Sequence, residues 1–460
     1  MKSVKQSDKL LTNINRIHMI GIGGSGMCPL AEVLSSLGYT VSGSDNTETE
    51  KTRRLGELGI KVYIGQKAEN IEGAELVAYS AAISETNPER AAAVKNGIPT
   101  MERSVLLGAL TRRYDNCIGV AGTHGKTTVS SIITQILLLN KMQPTAIIGG
   151  VLPIAGSSAV IGDSDILVCE SCEFVNSFLE FSPDVSVLLN IDNDHLDFFK
   201  TMDNLKRSFR DFVSLSKISY VNGDSELCLD AVKGLDTKII TFGRNKTNDF
   251  YADNIRMGDH GYCFDVFKSG KTVGSLCMNI PGEHNIYNGL VSFAVCYDLG
   301  VSPDGIADAV SRFTGAGRRF EKYGTYGGIT VVDDYAHHPT EISATLAAAR
   351  SLTKGRMIAA FQPFTYSRVA LLKDGMIKAL SLADKVFLTP IVASREENIY
   401  GVSSGDIAKG LNDAAVIDDY DTLCREMINS AKSGDIIITM GAGDIYKVAG
   451  KISEKLNENR

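Results

Sequence analysis

A chain of 460 residues has room for about three domains of roughly 150 residues each. Lys and Arg total 47 against 54 Asp and Glu, a formal charge of -7 with a pI near 5.6, which excludes a nucleic-acid binder built on clustered excess base. Hydrophobic residues at 44% and charged residues at 22% exclude a disordered or fibrous chain. No apolar run approaches the roughly 18 residues of a membrane span, and the polar residues 1–16 lack the apolar core of a secretion signal. The expectation is a soluble cytoplasmic protein with neither nucleic acid nor membrane as partner. Nine cysteines, odd in number and scattered through apolar sequence, predict small buried hydrophobes kept reduced. The single Cys169-x-x-Cys172 pair lacks the second ligand pair of a structural zinc site.

Residues 16–22 form a short apolar run ending in glycines, residues 28–38 a helix-like stretch, and residues 39–42 a second strand. The alternation continues through strands at 59–63 and 76–80 to a polar break at 112–116. A second unit opens with a strand at 116–121, a glycine-rich turn and an amphipathic helix at 129–139, followed by strands at 166–169 and 185–189. Residues 250–280 alternate more finely and predict a small antiparallel ribbon. Strands at 327–333, 357–361, 385–388 and 435–439 mark a third unit. Strands separated by helices predict parallel sheets, hence three α/β domains in series at 1–112, 113–322 and 323–460.

Two glycine turns sit at strand-to-helix junctions. Gly21-x-Gly23-x-x-Gly26 fits a diphosphate-binding turn, with Asp45 about 20 residues on where a ribose carboxylate belongs; a turn needing glycine only for its backbone is the alternative. Gly122-Thr123-His124-Gly125-Lys126-Thr127 resembles a phosphate loop, although Val120 stands where the strict pattern has its first glycine. Its amides suit phosphate oxygens, Lys126 adds a point charge, and the Thr127 hydroxyl suits magnesium. Glu170, Glu173 and His195 follow strands of the same unit, at the edge where open α/β sheets bind ligands, and predict a second cation site; a hydrogen-bonded loop role is the alternative for His195. A dehydrogenase needs only the first turn and a simple ATPase only the second. An ATP-driven enzyme that joins a nucleotide-carried substrate to something else needs both.

The series Gly-Ile-Gly-Gly-Ser-Gly-Met (21–27), Ala-Gly-Thr-His-Gly-Lys-Thr-Thr (121–128), Asn-Ile-Asp-Asn-Asp-His-Leu-Asp (190–197), Pro-Gly-Glu-His-Asn (281–285), Gly-Arg-Arg-Phe (317–320) and Asp-Asp-Tyr-Ala-His-His-Pro (333–339) resembles the Mur ligase family over nearly the whole chain. The resemblance implies a Rossmann-like UDP-substrate domain, a central P-loop-like ATPase domain and a C-terminal Rossmann-like domain for the amino acid. It implies ATP-dependent ligation of L-alanine to the lactyl carboxylate of UDP-N-acetylmuramate through an acyl phosphate, with ATP and Mg2+ as cofactors. Gly21, Gly23, Gly24, Ser25, Gly26, Met27, Asp45, Ser80, Ala81 and Ile83 would bind the UDP substrate. Gly122, Thr123, His124, Gly125, Lys126, Thr127 and Thr128, with His284 and Asn285 at the adenine and Arg319 and Asp334 on the nucleotide, would bind ATP. Thr127, Glu173 and His195 would be the magnesium ligands; Tyr335, His337 and Arg368 would face the amino acid, with His337 a candidate base. Lys126, Glu173, His195, Arg319, Asp334 and His337 form the implied catalytic set. Two family positions differ here: Glu170-Ser171-Cys172-Glu173 lacks the intervening acid, and Phe364 replaces a common histidine. A sister ligase with another amino acid or peptide, a nicotinamide-dependent oxidoreductase and a silent nucleotide-binding protein are the competing readings, and the sequence does not choose between monomer and dimer.

Overall fold

The computed structural model describes residues 9–394 and 396–458; residues 1–8 of the polar N-terminal stretch and the Asp197 side chain lie outside the described residues. The chain divides into two compact units: one runs to Asp253 and takes up Asp265–Ser275 and Asn288–Val310, and the other holds Asn254–Phe264, Leu276–Tyr287 and the chain from Ser311 onward. No helix among the described residues is long and apolar enough to cross a membrane.

The first sheet contains β1 (Arg16–Ile20), β2 (Thr40–Asp45), β3 (Lys61–Ile64), β4 (Leu76–Tyr79) and β5 (Thr100–Glu102), all parallel in the order β3-β2-β1-β4-β5. Ile17, Met19 and Ile20 of β1 are buried, the continuous apolar run of a strand covered on both faces. The strand order reverses beside β1, so its carboxyl end opens into the crevice where such sheets take ligands. Gly43 of β2 is required there: a Cβ would lie 2.4 Å from the Met19 carbonyl oxygen and 2.6 Å from the Ile22 side chain.

The second sheet has ten strands: β6 (Asn116–Ala121), β7 (Thr145–Leu152), β8 (Ser157–Val160), β9 (Ile166–Glu170), β10 (Val185–Leu188), β11 (Ile218–Asn222), β12 (Lys238–Gly243), β13 (Phe250–Met257), β14 (Tyr262–Lys268) and β15 (Lys271–Cys277). Their order is β15-β14-β13-β12-β11-β10-β6-β9-β7-β8. Here too the order reverses beside the first strand, β6, which lies between β9 and β10. The expectation of purely parallel pairing fails at β8, which returns antiparallel to β7 through a short turn that leaves no room for a crossover.

The expected 250–280 ribbon is formed by β13, β14 and β15. It also corrects the reading of all nine cysteines as reduced: Cys263 and Cys277 are disulfide-bonded, Cα atoms 4.0 Å apart. They are brought opposite one another by the hairpin, whose Met278 amide donates to the Tyr262 carbonyl one residue beyond them. The other seven are free, and only Cys172 among them is not buried.

The third sheet has β16 (Glu321–Tyr326), β17 (Ile329–Asp334), β18 (Met357–Gln362), β19 (Lys385–Leu388), β20 (Ala414–Val416) and β21 (Ile436–Gly441), in the order β16-β17-β21-β18-β19-β20. All pairs are parallel except the hairpin β16/β17.

In the first unit one hydrophobic core runs beneath both sheets, from Leu11 to Val232. The helix Arg103–Thr111 lies against the segment Phe174–Glu180, whose Phe178 stacks on Phe212 at 4.7 Å and meets Phe209 edge-on at 5.5 Å. Gly108 is the contact point, since a Cβ there would lie 2.1 Å from the Glu180 carbonyl oxygen. Gly108→Ala is therefore expected to lower the thermal unfolding midpoint, at an overpacking cost of about 1–3 kcal/mol. Gly56→Ala, in the exposed helix Glu50–Glu57 with nothing within 4 Å of the new methyl, is expected to raise it slightly. Equal midpoints for the two variants would contradict this packing.

Candidate functional site

The turn after β1 is held from below. The amides of Gly21 and Ile22 both donate to the Ser44 carbonyl, at 2.8 and 3.0 Å, and the Gly23 amide donates to Asp45 Oδ2 at 2.9 Å. Gly24 folds its amide back to Gly21, and Met27 and Cys28 start the helix Met27–Ser36 by donating to Gly24. Gly21 has φ of +77°, which favours glycine. Ser80 and Ile83 come to the same turn, Ser80 Oγ 3.3 Å and Ile83 Cδ1 3.7 Å from a Cβ built on Gly21, while Ala81 is exposed. Asp45, expected at a ribose, has one oxygen engaged by the turn itself.

Beneath the turn lies a polar network that the sequence reading passed over. His18 and Glu89 are both fully buried; His18 Nε2 is 3.4 Å from Glu89 Oε2, and Ser44 and Asn70 donate to the same carboxylate. Burial raises the Glu89 pKa, but the hydrogen bonds from His18, Ser44 and Asn70 outweigh it and hold the carboxyl below its usual value. A histidine in the middle of an apolar strand was the available signal, because such a side chain needs a buried partner.

The loop after β6 is tied to the segment after β10. Thr123 and His124 donate their amides to Asn190, the Asp192 amide donates to Thr123 Oγ1 at 2.9 Å, and His124 Nε2 lies 2.9 Å from Asp192 Oδ2. Gly125 ends the loop at φ +87°, and Lys126 opens the helix Lys126–Leu139, with Thr127 buried and Thr128 on its first turn. The Lys126 ammonium donates to the Gly122 and Thr123 carbonyls at 2.5 and 3.1 Å and to Glu173 Oε2 at 3.0 Å. Burial opposes its charge, but Glu173, itself 1% exposed, outweighs that and raises the lysine pKa. Glu170 accepts the Gly149 amide at 2.6 Å. His195 packs on Phe174, rings 4.8 Å apart, and faces Asp194 at 3.6 Å. Among the described residues no hydrogen bond or ion pair joins His195 to Glu173.

In the second unit, the adjacent arginines of 317–320 divide. Arg318 is built into the fold: it pairs with buried Asp333 at 3.1 Å, donates to the Gly441 and Gly443 carbonyls, and lies between Tyr335 and Tyr446. Arg319 covers the other approach to Tyr335, 5.1 Å from its ring, with its charge on Asp334. Asp334 accepts the Phe320 and Ala336 amides at 3.0 and 2.8 Å. Burial pushes its carboxyl up to about 6, with Arg319 pulling the other way. Tyr335, His337 and Phe364 form an aromatic row, ring separations 5.4 and 6.3 Å, and His337 Nδ1 lies 3.0 Å from the Tyr335 carbonyl and 3.4 Å from Glu341. His338, next in the chain, is buried as the cap of helix Pro339–Leu352. Arg368 lies on the first turn of helix Tyr366–Leu380, its amide held by Thr365. His284 is exposed at the start of helix His284–Asp298, and Asn285 is buried, its side chain donating to the Pro281 carbonyl at 2.6 Å.

Three family models match in succession: the Mur ligase family catalytic domain over residues 16–115, the Mur ligase middle domain over 120–296, and the Mur ligase glutamate ligase domain over 318–443. The chain is 44% identical over 450 residues to a UDP-N-acetylmuramate–L-alanine ligase of Caldicellulosiruptor saccharolyticus, covering 96% of this chain and 99% of the relative. It is 42% identical to one of Agathobacter rectalis, covering 95% and 98%. Among solved structures, the UDP-N-acetylmuramate–alanine ligase of Thermotoga maritima superimposes with a TM-score of 0.82 at 27% identity, covering 97% of this chain and all of that one. With three successive family models along the chain and relatives above 40% identity over nearly its whole length, the chain belongs to the Mur ligase family.

Proposed function

We propose that the protein ligates L-alanine to the lactyl carboxylate of UDP-N-acetylmuramate at the expense of ATP, a cytoplasmic step of peptidoglycan precursor synthesis. One observation carries this reading beyond the relatives' names. The first unit holds two glycine turns, each at the carboxyl end of the strand where its sheet reverses order, and only one of them has a lysine. A turn that binds through its amides, with no lysine of its own, suits a diphosphate that stays intact, and a turn with its own lysine suits a phosphoryl group in transfer.

In this reading a lactyl carboxylate oxygen attacks the γ-phosphorus and ADP leaves. The alanine amine then attacks the acyl carbon, and phosphate departs with that oxygen. Lys126 neutralises charge on the transferring group, and the backbone amides at the start of helix Lys126–Leu139 orient it. Arg319 and Asp334 are assigned to the nucleotide, His284 and Asn285 to its base, and Tyr335 and Arg368 to the amino acid. The Tyr335 carbonyl only accepts hydrogen bonds, so His337 Nδ1 carries the proton and Nε2 is the basic nitrogen, assigned to take the amine proton. The Thr127 hydroxyl would hold one magnesium ion, and the buried Glu173 carboxylate, a hard oxygen donor, would hold a second with His195 as a nitrogen ligand. When bound, the two ions would supply charge neutralisation at the phosphates.

Phosphate release should require ATP, UDP-N-acetylmuramate and L-alanine together; a larger rate with another amino acid from a panel would favour a sister ligase. Lys126→Ala is expected to lower the rate at least 10²–10³-fold while calorimetry shows UDP-N-acetylmuramate binding unchanged. Lost UDP-substrate affinity would contradict the assignment of two separate nucleotide sites. Glu173→Gln and His195→Ala should each raise the magnesium concentration for half-maximal rate, with non-additive effects in the double variant; additivity would show that they hold no common ion. Because Asp334 is charged only above about pH 6, kcat/KM for ATP should fall as pH drops through 6. A profile flat to pH 5 would count against a role for its carboxylate.

A further inference from the structure

The turn after β1 has a cation that none of its own residues supplies. Arg103 opens the helix Arg103–Thr111, and its guanidinium reaches back over Gly26, with Nε, Cζ and Nη1 each 3.2 Å from a Cβ built there. Gly26 is the N-cap of helix Met27–Ser36, has no side chain to cap it, and is followed by no acidic residue in the first turn. The donors converging on this point are unusual in having nothing to donate to. Among the described residues, neither the Ser25 and Gly26 amides nor the Arg103 guanidinium has an acceptor, whereas the Gly21, Ile22, Gly23 and Gly24 amides are all taken by the protein. Arg103 is half-buried, so its unpaired charge is held in place and partly shielded from water.

The geometry points to Arg103 as the diphosphate-binding cation of the UDP substrate, closing with the Ser25 and Gly26 amides an anion site at the N-terminus of helix Met27–Ser36. The inference rests on reading the Gly21–Met27 turn as the diphosphate site. A helix N-terminus with two free amides accepts one set of phosphate oxygens, and the planar guanidinium fork accepts the other. A single carboxylate would leave part of this donor set unmatched.

The test is calorimetric titration of the full chain and of Arg103→Ala and Arg103→Lys with uridine, UDP and UDP-N-acetylmuramate. Arg103→Ala should weaken UDP and UDP-N-acetylmuramate by a similar factor of about ten or more, leave uridine unchanged, and flatten the salt dependence of UDP binding. Arg103→Lys should recover part of the loss, and it decides the matter if the alanine variant does not fold. Undiminished UDP affinity in both variants would overturn the assignment. A loss confined to UDP-N-acetylmuramate would also overturn it, because the guanidinium would then serve the lactyl carboxylate. A parent protein that binds neither UDP nor UDP-N-acetylmuramate would fail the underlying reading of the turn, a result distinct from both.

Discussion

The partly buried ion pair between Lys126 and Glu173 is the constraint around which the first unit is arranged. An ammonium at the start of a helix sits where the helix dipole already favours negative charge, and burial strengthens its demand for anions. Two loop carbonyls and the carboxylate of a residue 1% exposed meet that demand at 3.1 Å or less. The loop must then hold its shape, and its ties to Asn190 and Asp192 do so by linking the carboxyl ends of β6 and β10. Removing either member of such a pair leaves an uncompensated buried charge, so the pair restricts what both positions can become.

Topology explains why two glycine turns of this kind occur in one unit. In both of its sheets the first strand lies where the chain reverses direction across the sheet, so the loop after that strand has no neighbouring crossover above it. The packing of Gly108 on Glu180 and of Ser157 on Glu32 joins the two sheets over a common core. The separation of tasks proposed for the two turns follows from their charges rather than their shapes. The lysine-bearing loop satisfies its own cation internally, and the other turn borrows one from the helix Arg103–Thr111 that follows β5.

Much of this was legible in the sequence because buried parallel strands are continuous apolar runs. Residues 116–121 and 385–388 were read with the bounds that the structure gives, and the glycine turns were placed at the correct junctions. The short β5 and β20 escaped because three residues carry no period, and β7 because Gly149 and Gly150 interrupt its run. The disulfide escaped because spacing alone does not reveal which hairpin residues face each other. Site residues brought in from a distance were the hardest to see. Nothing in the local pattern marks Arg103 as the neighbour of Gly26, or separates an Arg318 built into the fold from an Arg319 over the other approach to Tyr335, since both depend on tertiary approach.

The central claim is that a carboxylate oxygen of the UDP substrate is phosphorylated before the amide forms, and the fate of that oxygen tests it directly. Lactyl-carboxylate 18O-labelled UDP-N-acetylmuramate should be turned over with ATP and L-alanine, and the released phosphate examined by mass spectrometry. The account predicts one 18O atom transferred to phosphate for each amide formed. Phosphate free of label, with amide formation proceeding, would contradict it.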